Sequence, residues 1–374
     1  MVVEGADDAT VTLNRVLDFE AVSTLRSQIS VDPTGAVNTS ERSIRFAGTG
    51  TTTYDGRVKT ITGVPVKYAV PQGKTVVHKY TGPGAGTALG YALSGPIQFV
   101  GDGVQVNNPG GTVVIDAPIN AAWSLNNNMT LSFGPEGRAA GTTSGSVSYG
   151  TVEFSSPLAF GATTEEMRNN PVLGAYPAGY ISAGMGFDSA STTGKPAVFR
   201  YTGTAEDCIL DGARVFRLGS GITKWLSDGT KALKILSTQA LYLDPAATSA
   251  TLWLGGSSTA ANTIGKLVTS DLSSKRITPA AAITIRPVNI VKVDEGTWVF
   301  TGDCEPTGDV FINQGKVQIA SEDGSGKLSC TFAAGKTVRH SGGVLQTRTG
   351  TTQKGRHTYH NNLYLEGGVL HIGG

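Results

Sequence analysis

Charge is scarce in this chain: 16% of its 374 residues are Asp, Glu, Lys or Arg, well under the usual quarter. The 30 basic and 29 acidic side chains nearly cancel, and no run of basic residues occurs. Electrostatic capture of nucleic acid or of an anionic lipid surface is therefore not expected. No apolar stretch is long enough to cross a bilayer, so direct membrane insertion by this segment is not expected either. The opening residues Met1 to Asp8 lack the basic and apolar regions of a secretion signal, and an exported natural form would carry its signal upstream of Met1. Cysteine is almost absent, at three residues. Sustained helical spacing is missing as well. What fills the gaps is glycine, 50 residues and about double the average share, together with many Ser and Thr, which suit the exposed faces of strands. A hydrophobic fraction of 39% is enough for a long core, so the chain is not of the disordered class.

The last third repeats itself. Val310-Phe-Ile-Asn-Gln-Gly-Lys-Val-Gln-Ile319 recurs as Val338-Arg-His-Ser-Gly-Gly-Val-Leu-Gln-Thr347 and as Leu363-Tyr-Leu-Glu-Gly-Gly-Val-Leu-His-Ile372. Each copy places two alternating positions, apolar but for His340, before a turn that ends at Gly315, Gly343 or Gly368, and two more, apolar but for Thr347, after it. That pattern reads as strand, tight turn, strand. The period of roughly 25 residues lies in the range of stacked-repeat architectures, whose units lean on their neighbours because none can bury its own apolar face. Val310, Ile312, Val317 and Ile319 are expected inside, with Gln318, Gln346 and His371 forming a ladder outside. Short alternating runs continue upstream at Ser43 to Phe46, Val64 to Tyr68, Val113 to Ile115, Val152 to Phe154, Val198 to Tyr201 and Ile283 to Ile285, with Gly, Asn, Asp and Pro between them. The class is all-β. Val104 to Ile115 reads as a longer-turned copy of the C-terminal unit. Leu241-Tyr-Leu243 with Leu252-Trp-Leu254 matches Leu363-Tyr-Leu365 with Leu370-His-Ile372.

Helix is suggested in two places only. Asn14 would cap a segment whose Leu17, Val22, Leu25 and Ile29 fall loosely on one helical face, a lid for an open end of the stack, while the same stretch also reads as irregular strands. Thr163 to Arg168 starts like a short capped turn of helix. The resulting organisation is a cap or irregular segment over 1–43, a degenerate repeat region with loop insertions over 44–289, and regular repeats over 290–374. The last of these stops two residues after a repeat, as a longer solenoid cut short would.

Lys292-Val-Asp-Glu-Gly-Thr-Trp-Val-Phe-Thr-Gly302, followed by Thr307 to Ile319, resembles the autotransporter-associated β-strand repeat. Gly296, Thr297, Gly302, Gly308, Val310, Gly315 and Val317 fall on that family's pattern, while Trp298 and Phe300 replace its usual aliphatics. The match covers about residues 290 to 374. It implies a right-handed parallel β-helix displayed outside a bacterial cell, with no cofactor. Three strands per coil of roughly 22 residues would make on the order of 15 coils, and about 4.8 Å per coil a rod of roughly 70 Å.

Side chains with chemistry are sparse. Glycoside hydrolysis needs two carboxylates on one cleft, one of them protonated. The densest acidic group is Glu206, Asp207 and Asp211, with Asp188 upstream, and a solvated turn is the better reading of it. Lys275, Arg276 and Arg286 lack the aspartates that would hold calcium in a lyase. His340, His357, His360 and His371 would form a metal site only if adjacent coils brought them to one face. Gly82 to Gly90 lacks the lysine and following helix of a phosphate loop. The aromatic residues Trp225, Tyr242, Trp253 and Trp298 offer either a surface for stacking sugars or a partner, or interior packing. Cys304 and Cys330 occupy nearly equivalent places in successive repeats and would form a disulfide if stacked, leaving Cys208 as a buried thiol. These features point to an exported, non-catalytic surface β-helix with a structural or adhesive role. A glycan, a host or cell-surface protein, or a second copy of itself would be its partner. The alternatives are a polysaccharide-degrading hydrolase or lyase of the same fold, and a phage tailspike or fibre segment.

Overall fold

The computed structural model describes residues 10–12, 17–19, 24–31, 43–46, 48–60, 66–81, 92–101, 109–126, 128–134, 137–139, 145–156, 159–160, 186–190, 195–211, 215–237, 241–243, 247–265, 267–271, 287–301, 304–319, 336–346 and 363–371. Among them every regular element is a strand, and every strand pairing given with its register is parallel. The chain divides into two compact units, Met1–Gly186 and Phe187–Gly374.

Both units contain coils that visit three faces in a fixed order. In the second unit Thr297–Phe300 follows Val288–Lys292, Cys304–Glu305 comes next, and Val310–Ile312 then returns to the first face beside Val288–Lys292. The first unit obeys the same cycle: Thr112–Ile115, Pro118–Asn120, Trp123–Leu125, then Thr130–Phe133 in register with Thr112–Ile115. Parallel strands joined this way cannot use hairpins, so each returns only after a full turn of chain, and the fold is a parallel β-helix. The core is a set of columns. Ile290, Val310 and Val338 stand in register on the first face, and each is at least 95% buried.

The repeat reading is borne out in detail. Val310, Ile312, Val317 and Ile319 are all buried, and Gln318, Gln346 and His371 line up across three adjacent strands. The repeated glycines form a stacked corner between the first and third faces. Gly315, Gly343 and Gly368 have φ of 70°, 71° and 76°, and a Cβ on Gly343 would lie 2.3 Å from the Gly315 carbonyl oxygen of the coil before. Left-handed backbone and close approach both demand glycine there.

One expectation needs correction, and one open choice is decided. Of the two readings of the N-terminal segment the strands hold: Thr10–Thr12, Leu17–Phe19 and Thr24–Val31 are strands, the last pairing Leu25 with Tyr54 and Ile29 with Val58. Its apolar residues Leu25, Ile29 and Val31 also fit a period of two, and pairing with a neighbouring coil settles the ambiguity. The phase of the upstream copies is also different. Leu241–Leu243 lies on the second face and Ala250–Gly255 on the first, whereas Leu363–Leu365 lies on the first and Val369–His371 on the third. Apolar alternation is the same on every face, so a triplet such as Leu-Tyr-Leu carries no label for the face it occupies. Thr112–Ile115 is likewise a first-face strand, and Val104 to Val106 lie outside the described residues. Thr163 to Arg168 and Ile283 to Ile285 lie outside them too.

Candidate binding face

The acidic group is built into a turn. Glu206, Asp207 and Asp211 flank the third-face strand Cys208–Leu210. The Asp207 carboxylate accepts the Ala232 amide of the next coil at 2.9 Å and pairs with Lys234 at 3.2 Å. The amide bond, and after it Lys234, hold this carboxyl below its ordinary range against the opposing effect of partial burial. A general acid needs the opposite shift. The Glu206 carbonyl accepts the Tyr201 hydroxyl. Asp207 thus braces successive coils. Asp188 lies in the strand Gly186–Ala190, and Lys275, Arg276, Arg286 and Gly82 to Gly90 lie outside the described residues.

The two candidate histidines among the described residues do not converge. His340 points into the core, fully buried, with Nε2 3.3 Å from the Gly343 carbonyl oxygen, while His371 is exposed on the third face. His357 and His360 lie outside the described residues, among which no group of three metal-ligating side chains occurs. Lys292, on the same inward column with Ile312 between it and His340, is a buried cation: its Nζ donates to the carbonyls of Val293, of Asp294 at 2.6 Å and of Gln314 at 3.1 Å. Burial lowers its pKa to about 8, opposed by Asp294. Cys208 is a buried thiol, Cys304 begins a second-face strand beside Leu267, and Cys330 lies outside the described residues.

The aromatic residues separate by orientation. Trp225 is 3% exposed and packs edge-on against Phe216, and Trp298 is fully buried with its indole N–H donating to the Gly255 carbonyl at 3.1 Å. Both are core residues, because their positions in the strand alternation are inward, and neither is available as a stacking surface. Tyr242 sits on the second face in register with Arg217. Trp253 alone of the four stands outward on the first face.

Around Trp253 the register assembles a column that sequence reading missed. Val198, Lys224, Trp253, Val291, Phe311, Arg339 and Tyr364 are successive partners on seven adjacent first-face strands, all on the outward side. Lys224 Nζ lies 4.5 Å from the centre of the Trp253 ring, and the Arg339 guanidinium 5.3 Å from that of Tyr364. Arg339 also pairs with Glu366 at 2.8 Å. Thr251 and Asn289 flank the column on one side; on the other are Asn313 and Ser341, linked by a 3.1 Å hydrogen bond. The signal was present in the sequence as the middle residue of each apolar triplet (Val-Phe-Ile, Val-Arg-His, Leu-Tyr-Leu). Those residues form a surface only once the coils are in register.

Comparison with known proteins finds a limited likeness. The chain is 28% identical over 181 residues to the adhesin BmaC autotransporter of Brucella suis biovar 1 (strain 1330), a match that covers 47% of this chain and 5% of that much longer protein. No family model matches the chain, and no solved structure matches it.

Proposed function

We propose that this chain belongs to an exported bacterial surface protein and serves as an adhesive β-helix, holding a partner on the outward column of its second unit without catalysis. The single observation that carries this reading is the column itself. It gathers three aromatic side chains, two cations and two aliphatics on one sheet face, the composition expected of a contact surface and not of a solvated one. The similarity to an autotransporter adhesin supports the same role. The Asp207 carboxyl of the acidic turn is shifted away from general-acid duty.

Beads coated with the purified chain test the proposal. They should adhere to host epithelial cells or to bacterial cells, and a Trp253→Ser, Phe311→Ser variant with unchanged circular dichroism should lose most of that adherence. Equal adherence by the variant would remove the column from the function.

A further inference from the structure

We infer that the partner of the outward column is an uncharged, extended polysaccharide lying along the coil stack, its rings meeting Trp253, Phe311 and Tyr364. This rests on the binding reading above and gives it a ligand class. Spacing is the first argument. Trp253, Phe311 and Tyr364 occupy every second rung, with Val291 and Arg339 between them. Rungs of a parallel sheet are about 4.8 Å apart, so the aromatic side chains recur about every 10 Å. An extended chain of equatorially linked pyranose rings advances about one rung per ring, and alternate rings turn over, so the same ring face returns at every second rung. Aromatic residues at each second rung meet that apolar face each time.

Charge is the second argument. Both cations of the column are already engaged, Lys224 by the Trp253 ring and Arg339 by the Tyr364 ring and Glu366. Alongside stand Thr251, Asn289, Asn313 and Ser341, neutral donors and acceptors of the kind that hydroxyl-rich rings use, with the carboxylates of Asp309 and Glu366, which would repel an acidic chain. The stripe therefore complements a neutral polymer and not an acidic one, which would need cations to spare. From Trp253 to Tyr364 the column spans five rungs, the reach of about five sugar rings.

Affinity electrophoresis of the intact chain through glucomannan or hydroxyethylcellulose tests this, with heparin and polygalacturonate as acidic counterparts. A neutral polymer should retard the protein equally at low and high salt. A linear hexasaccharide should compete, and a trisaccharide, too short for all three aromatic residues, should compete more weakly. Phe311→Ala should bind about tenfold more weakly, the worth of one stacked ring. Gln318→Asp, on the third face, should bind as the parent does. Retardation by acidic polymers alone and abolished by salt, or no retardation by any polymer, would overturn the inference. If the beads still adhered to cells through the column, the adhesive role would stand without it.

Discussion

The first faces of the two units share one backbone plan and differ in what they show to water. In the first unit the corresponding outward column is Thr53, Val77, Val114, Ser132 and Glu153, with Thr51, Thr75, Thr112, Thr130 and Thr151, five threonines in register, beside it. In the second it is the aromatic and cationic series from Val198 to Tyr364. Inside, the first unit is richly aromatic: Tyr54, Phe133 and Phe154 share one inward column with His78, Tyr68 and Phe160 pack against its members, and Phe99 packs against Tyr68. The matching column of the second unit passes from Phe199 and Trp225 to Leu254, Lys292, Ile312 and His340. Alternation decides which positions face the core, while β-branched and aromatic residues satisfy a strand equally well on either side. The outward chemistry is thus left to function, and the two units have spent that freedom differently.

The largest effect expected is in the core of the second unit. Ile290 stands between Leu252 and Val310 and is 1% exposed. Ile290→Asp buries an unpaired charge and should cost about 4 kcal/mol or more, read as a fall in the urea midpoint and lost hydrogen-exchange protection in Val288–Lys292 and its neighbours. Ile312 would be a poorer choice, because it lies between Lys292 and His340, where an aspartate would find a cation.

Next comes covalent bracing, open only to the second unit, which holds all three cysteines. A Cys304–Cys330 bridge closes a loop of about 26 residues and should contribute about 3 kcal/mol. Thiol titration of the unfolded, unreduced protein should find one reactive group, Cys208; three would dismiss the bridge.

Acid should act on the first unit. His78 is fully buried, its Nε2 3.0 Å from the Gly56 carbonyl oxygen, with the Tyr54 and Tyr68 rings and Asp55 nearby. Burial lowers its pKa from 6.5 to about 4, against the opposing effects of the Gly56 carbonyl and Asp55. Between those values the unfolded chain binds the proton first, so stability falls as pH drops from about 6.5 to about 4, by about 3 kcal/mol in all. His78→Gln should flatten this part of the pH profile; an unchanged slope would place the acid sensitivity elsewhere.

The smallest effects are expected outside. Gln318→Asp in the second unit and Thr112→Ala in the first should each stay within about 0.5 kcal/mol by thermal melting. A larger loss at Thr112 alone would show that the threonine column stabilises the coils and is more than a solvent face.

Architecture was legible in the sequence because a β-helix writes its core as local alternation and its corners as glycine. Val310, Ile312, Val317 and Ile319 could be placed inside from period two, and Gly315, Gly343 and Gly368 marked the corner where only glycine tolerates the backbone. What a single triplet could not carry was its face, hence the misplaced phase at Leu241–Leu243. Nor could it carry the sense of an isolated aromatic residue: Trp225 and Trp253 lie 28 residues apart in similar surroundings, yet one is core and the other surface. That choice depends on one step of strand register, which neighbouring coils impose. The alternation, the repeat and the glycine corners were thus determined by the sequence alone. The binding column was decided by tertiary structure, since Lys224, Trp253, Phe311, Arg339 and Tyr364 are far apart along the chain and become neighbours only through parallel stacking.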